Sequence, residues 1–226
     1  MTRYLLLGAN RGIGLELARQ LCARQDEVVA VCRRSSRELS ALPARVIEGI
    51  DLAAADDLRN LDAALGDGHF DVLVHVAGVL AGDSLESVTL DSMRRHFEVN
   101  TLAPLAAVKQ LQRRLGEGGK VFILSSRVGS IADNGSGGNY AYRVSKTAVN
   151  MVGVNLAHDL KPRGIAVVLL HPGFVRTDMT GHRGHMDVAE SAAGLIRQMD
   201  RRGLDDTASF WHASGDTSAS PDVPYD

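Results

Sequence analysis

Six short runs rich in apolar residues recur along the chain: Tyr4 to Leu7, Val28 to Cys32, Arg45 to Ile47, Val72 to Val76, Val121 to Leu124 and Ile165 to Leu170. Most are continuous rather than alternating with polar positions. A strand with one face in water alternates, whereas a strand covered on both faces has no place for a polar side chain. Between the runs lie patterns of helical period at Ile13 to Arg24, Ala54 to Leu65, Ser92 to Leu115, Tyr140 to Asp159 and Val188 to Arg201. Strands alternating with helices, joined by right-handed crossovers, predict an α/β fold: a doubly wound parallel sheet with helices on both faces.

A chain of 226 residues with 45% hydrophobic content suits one such domain, spanning 1–226 without a linker. The last stretch, Ser214 to Asp226, is polar with two prolines, so it is expected to pack loosely or pair with a partner subunit. The net charge of -2, with both signs mixed along the chain, favours neither nucleic acid nor an anionic membrane as partner. The N-terminus reaches Gly8 after only four apolar residues, too short for a signal peptide or a membrane span, and the expected location is the cytoplasm. Cys22 and Cys32 lack metal-ligand spacing and read as ordinary buried thiols.

Two motifs carry chemistry. The loop Gly8-Ala9-Asn10-Arg11-Gly12-Ile13-Gly14 falls between the first strand and the first helix, where glycines allow a tight turn and the helix N-terminus favours a phosphate. The second is Tyr142-Arg143-Val144-Ser145-Lys146, which puts a phenol and an ammonium four residues apart on one helix face. A free phenol titrates near ~10, so a neighbouring cation is what would fit it for proton transfer at neutral pH.

The glycine spacing resembles the T-G-x-x-x-G-x-G loop of the short-chain dehydrogenase/reductase family, with Leu7 where that family usually has Thr or Ser. Further segments are similar to family motifs, from Tyr4 to about Trp211. Asp51-Leu52 resembles the pair that contacts adenine, although Asp51 could also serve as a helix N-cap. Phe97-Glu98-Val99-Asn100 resembles the helix carrying an active-site Asn, Ser125-Ser126 the strand end carrying the substrate-side Ser, and Pro172-Gly173-Phe174-Val175-Arg176-Thr177 the turn bordering the nicotinamide. The runs Ser125 to Ile131 and Gly137 to Arg143 look most like the C-factor-like and sniffer-like carbonyl reductases.

The resemblance implies a Rossmann-type domain that moves a hydride between a nicotinamide and a carbonyl or secondary alcohol. In it Tyr142 gives or takes the proton, Ser126 polarises the carbonyl, Lys146 holds the nicotinamide ribose and biases Tyr142 toward phenolate, and Asn100 fixes a water. Cofactor contacts are implied at Gly8, Asn10, Arg11, Gly12, Ile13, Gly14, Asp51, Leu52, Ala77, Gly78, Asn100, Tyr142, Lys146, Pro172, Gly173, Val175 and Thr177. The second strand ends Val31-Cys32-Arg33-Arg34, without the carboxylate that receives a ribose 2′-hydroxyl in NAD sites. Arg33 can instead pair with a 2′-phosphate, and Arg11 stands where NADP-preferring members often carry a second basic residue. NADP(H) is favoured, with NAD(H) possible; no metal is expected, and His182, Arg183 and His185 read as a polar loop.

Two departures from the family pattern stand out. His75-Val76 replaces the usual Asn-Asn before Ala77-Gly78, and a His at a buried strand end reads as a structural group. Ser126 and Tyr142 lie sixteen positions apart, longer than the common spacing, with the extra residues in the glycine-rich Asp133 to Gly138 stretch; Ser130 and Ser136 are the less favoured substitutes for Ser126.

Alternative readings are an NAD-dependent alcohol or dihydrodiol dehydrogenase, or a cofactor-binding sensor of the C-factor type. Only ten residues, Asp178 to Asp187, separate Thr177 from the last helix, so a shallow, permissive substrate pocket is expected. Ala103, Ala106, Ala107, Ala148 and Val152 spread small or apolar residues over more than one helix face, which predicts a homodimer or homotetramer.

Overall fold

The computed structural model describes residues 1–215; of the polar tail expected at 214–226, residues 216–226 lie outside the described part. Seven parallel strands form one sheet in the order β3-β2-β1-β4-β5-β6-β7. They are β1 Arg3–Leu7, β2 Glu27–Val31, β3 Arg45–Ile47, β4 Phe70–His75, β5 Leu115–Leu124, β6 Ala166–His171 and β7 Ser209–His212. The helices are α1 Gly12–Ala23, α2 Arg37–Ser40, α3 Ala55–Ala64, α4 Leu90–Phe97, α5 Ala103–Leu111, α6 Tyr140–Leu160 and α7 Val188–Arg201. No helix among the described residues is long and apolar enough to cross a membrane.

The continuous apolar strands are filled from both sides, as their composition demands. Leu5, Leu7, Leu73 and Ile123 join Leu61 of α3, Leu111 of α5 and Val149 of α6 in one core. Tyr4, Leu6, Val74 and Phe122 join Leu17 and Leu21 of α1 and Leu195 and Met199 of α7 in the other. Successive residues of a strand serve opposite layers, so each layer is built from every second side chain.

The predicted helix Ser92 to Leu115 is broken. α4 ends at Phe97, a π turn covers Glu98–Leu102, α5 runs from Ala103, and Leu115 already belongs to β5. Pro104 explains the break: it has no N–H to give the carbonyl four residues back, at Asn100, and its ring would collide there. The ladder widens instead, and the Ala103 N–H bonds the Glu98 carbonyl five residues back. β5 therefore begins six residues before the predicted Val121, with a register irregularity between Phe70 and Val72 of β4. β7 and the one-turn helix α2, which Ser36 caps by accepting from Leu39 N at 3.1 Å, were not expected from periodicity. β7 is short and half buried at the sheet edge, so its pattern is weak.

Candidate active site

The C-terminal ends of the strands open on a cleft of about 510 Å³. Its floor needs glycine for steric reasons. Gly8 has φ +100°, and a Cβ there would stand 2.7 Å from the Ala77 nitrogen; at Gly14 a Cβ would meet the Gly8 carbonyl oxygen at 2.1 Å. β1, α1 and the turn after β4 can close on one another only without those side chains. α1 begins at Gly12 with no side-chain cap and no acidic residue in its first turn, so its free N–H groups are available to an anion. The glycine cradle, the uncapped helix end and the cations beside them fit a dinucleotide carrying phosphates.

Most residues expected to hold a cofactor line this one cleft: Gly8, Asn10, Arg11, Gly12, Ile13, Gly14, Arg33, Asp51, Leu52, Ala77, Gly78, Tyr142, Lys146, Pro172 and Thr177. Asn100, Ser126, Gly173 and Val175 do not; Val175 is buried, pairing with Met186 in an isolated bridge. Asp51 does not cap α3, whose N-cap is Ala54; its carboxylate accepts from the Ala53 N–H at 3.0 Å in a local turn. Arg33 is exposed on the cleft wall, and Arg11 stands 3.8 Å from Asp178 across it. Arg95 and Val99, one turn apart on the α4 side, also line the cleft and were not anticipated. Their i, i+4 spacing was readable, but nothing local marks which face meets the cleft.

The reacting end is built from α6 and the turn after β5. The Ser126 hydroxyl lies close enough to the Tyr142 phenol to lower its pKa. The sixteen-residue separation is thus taken up by the loop between them, where Gly137, Gly138 and Asn139 all have left-handed backbone. Ser136 accepts from Arg143 Nη2 at 2.8 Å, and Ser130 accepts from the Asp133 N–H at 3.1 Å. A Cβ at Gly129 would stand 2.7 Å from the Lys146 carbonyl carbon, so this glycine lets the turn rest on the α6 backbone.

Lys146 is buried, donates to the Leu124 carbonyl at 2.9 Å, and lies 5.7 Å from the Tyr142 ring centre. Behind it, the Asn100 amide is fully engaged: it accepts from Val79 N at 2.8 Å and donates to Val79 O and Ser145 Oγ, both at 2.9 Å.

Burial pushes the Tyr142 phenol up to about 12, opposed by the nearby Ser126 hydroxyl, so the phenol is protonated at neutral pH. Burial also pushes Lys146 down to about 8. His75 is buried with Nε2 unpartnered, and burial, then the Lys146 charge, push it down to about 3; it is a neutral group at the end of β4. Among the described residues, no group of three or more His, Cys, Asp or Glu side chains could hold a metal ion.

Comparison with known proteins agrees with this arrangement. The chain is 40% identical to a 1-hydroxy-2-glutathionyl-2-methyl-3-butene dehydrogenase of Rhodococcus sp. (strain AD45), over 95% of this chain and 98% of that one. It is 38% identical to the C-signal protein of Myxococcus xanthus, over 66% of this chain and 91% of that one. Among solved structures, the carbonyl reductase Sniffer of D. melanogaster superposes with a TM-score of 0.86 at 28% identity, covering 95% and 98% of the two chains. A short-chain dehydrogenase/reductase from Burkholderia multivorans with bound NADP superposes with a TM-score of 0.88 at 30% identity, covering 95% and 97%. The family profile for short chain dehydrogenase matches residues 3–187, and with the glycine cradle and the Ser126, Tyr142 and Lys146 cluster already in hand, the chain belongs to the short-chain dehydrogenase/reductase family.

Proposed function

We propose that this oxidoreductase is an NADP(H)-dependent carbonyl reductase. The observation that carries the reading is the Tyr142 phenol, which lines a dinucleotide-sized cleft beside Lys146, with the Ser126 hydroxyl near it, and is shifted upward by burial. A protonated phenol is a proton donor, which is what carbonyl reduction requires. NADP(H) would supply the hydride. Ser126 orients the substrate oxygen and Tyr142 delivers the proton to it through its hydroxyl. Lys146 Nζ keeps donors beyond its bond to Leu124 for the ribose hydroxyls, and Asn100 holds the strand-to-helix turn at Val79 against α6. The Gly8 to Gly14 loop receives the pyrophosphate, Asp51 and Leu52 border the adenine, and Pro172 and Thr177, with Gly173 and Val175 shaping their turn, border the nicotinamide.

NADP(H) over NAD(H) is supported by Arg33 on the cleft wall, by the absence of a carboxylate at the end of β2, and by the NADP held by the Burkholderia multivorans relative. A panel of aldehydes, ketones and quinones, followed by NADPH absorbance, tests the reading. NADPH oxidation with at least one class supports it, and oxidation with none, given tight NADPH binding, overturns it.

A second reading is favoured by the Rhodococcus relative: oxidation of a primary alcohol next to a thioether-bearing carbon. Glutathione-conjugated alcohols with NAD or NADP in the reverse direction distinguish it. A pure cofactor sensor has no physical need for Ser126, Tyr142 and Lys146 together. The chain is proposed to act in the cytoplasm as a homodimer or homotetramer. Phe97, Leu102, Leu105, Val144 and Met151 leave large apolar area exposed on α4, the π turn, α5 and α6, at 37% to 62% of each residue. Sedimentation at micromolar concentration is expected to give at least twice the monomer mass, and a monomer would remove this part of the proposal.

A further inference from the structure

Tyr142 stands in the first turn of α6, where helices fray and where a catalytic hydroxyl can least tolerate motion. The local sequence does not secure that turn. Asn139, at the N-cap position, has left-handed backbone at φ 50° and makes no side-chain cap, and no acidic residue occupies the first turn. The cap comes from a distant residue. Asp83, in the segment after β4, accepts from Tyr140 N at 2.5 Å and from Ala141 N at 3.2 Å through its carboxylate, and from Asn139 N at 2.8 Å through its carbonyl. Three consecutive N–H groups, ending one residue before Tyr142, therefore converge on Asp83. A carboxylate there satisfies orphan donors and complements the helix dipole at once.

The same segment has two further anchors. Val79 is tied through both backbone groups to Asn100. Ala81 N donates to His96 Nε2 at 3.0 Å, which makes Nε2 the acceptor and leaves Nδ1 to donate to the Ser92 carbonyl at 2.8 Å. Both nitrogens are engaged, and the imidazole meets the Tyr142 ring in a T-shaped contact with centres 6.5 Å apart at 77°. Residues 79 to 83 thus form a strap that reaches Tyr142 from its backbone side through Asp83 and from its ring side through His96.

We propose that Asp83 and His96 are positioning residues for Tyr142, with the strap holding the first turn of α6 in register with Ser126. The inference rests on reading Tyr142 as the proton donor, and a misplacement of about 1 Å is enough to cost on the order of a hundred-fold in rate.

The test compares Asp83→Ala, Asp83→Asn and His96→Phe, using NADPH with menadione for turnover, an NADPH binding titration, and amide hydrogen exchange at Tyr140 and Ala141. Asp83→Ala is expected to lower kcat by about ten- to a hundred-fold. NADPH affinity should stay within about two-fold, and exchange at both amides should quicken. Asp83→Asn keeps an acceptor oxygen and should recover most of kcat. His96→Phe keeps a ring against Tyr142 but loses the acceptor for Ala81 N, and should show a smaller loss in kcat at unchanged NADPH affinity. Unchanged exchange in Asp83→Ala, or quickened exchange with wild-type kcat, overturns the proposal. Should Asp83→Ala not fold, His96→Phe decides alone: a lower kcat at unchanged NADPH affinity supports the strap's role, and wild-type kcat removes it. A wild type that reduces no carbonyl defeats the functional reading instead, while the exchange data still report whether Asp83 holds the helix.

Discussion

Two cations are buried at opposite ends of β5, and the protein treats them differently. Arg114, just before the strand, spends its guanidinium fully: Nε on Asp62 Oδ1 at 2.6 Å, Nη2 on the Asp62 carbonyl at 2.5 Å, Nη1 on the Gly66 and Gly68 carbonyls at 2.5 and 3.0 Å. Burial would raise the Asp62 carboxyl, but hydrogen bonds from Arg114 and Gln110 and the nearby arginine charges hold it below the usual carboxylate range. Lys146, against the far end of the strand, has the Leu124 carbonyl as its one hydrogen-bond partner among the described residues, and its affinity for the proton falls. A structural charge is buried with its partners; a working charge is buried with donors left over. At the cleft end Tyr142, Lys146 and His75 all shift by burial, as Tyr4 does near the start of β1, away from the cleft.

This contrast can be broken from either end. The largest effect is expected at Tyr142→Phe, which should cut turnover by about two to four orders of magnitude, the scale of general acid catalysis, with cofactor affinity within a few-fold. Steady-state rates beside a binding titration check it, and near-normal turnover would reject the mechanism. At the structural end, Arg114→Met strands the Asp62 carboxylate in a buried site. Arg113 and Gln110 still reach it, so the loss should fall near the lower bound for a broken buried pair, about 3 kcal/mol. Urea unfolding measures this directly, and a neutral result would mean that Asp62 is solvated.

Arg33→Ala should weaken NADPH binding by roughly ten- to a hundred-fold while leaving NADH nearly unchanged, since a charge-assisted contact contributes about 1.5 to 3 kcal/mol. Arg11→Ala should do less, because Arg11 already faces Asp178. Equal NADPH affinity in wild type and Arg33→Ala would move the phosphate site elsewhere.

The smallest effect has the opposite sign. Lys146→Met should stabilise the fold at neutral pH by about 1 kcal/mol, because it removes a buried charge with few partners. The sign with pH follows from its depressed pKa. Below about 8 both folded and unfolded chains carry the proton and the penalty is complete. Between there and the ordinary lysine value the unfolded chain holds more protons, so wild-type stability relative to the variant rises with pH. Melting curves at neutral and alkaline pH should therefore converge; a gap that widens would mean that Lys146 is not destabilising.

What could be read from the residues was local. Gly8, Gly12 and Gly14 fall at one turn, and Tyr142 and Lys146 on one helix face, so their spacing carries their geometry. Contacts between distant segments left no such trace. Asp83 lies among loop residues 57 positions from the Tyr140 amide it caps, and His96 sits in an ordinary helix until the fold brings it against the Tyr142 ring. The break at Asn100 was half legible: Pro104 signalled it, but the helical pattern on both sides concealed it.

By itself the sequence determined the doubly wound sheet, because apolar runs without alternation can be buried only between two layers of helices, and it determined the phosphate cradle, because only glycine lets β1, α1 and the turn after β4 meet. The tertiary structure alone decided which charges are satisfied. Whether a buried side chain keeps its proton depends on desolvation and on acceptors brought from far along the chain, and neither quantity exists until the chain is folded.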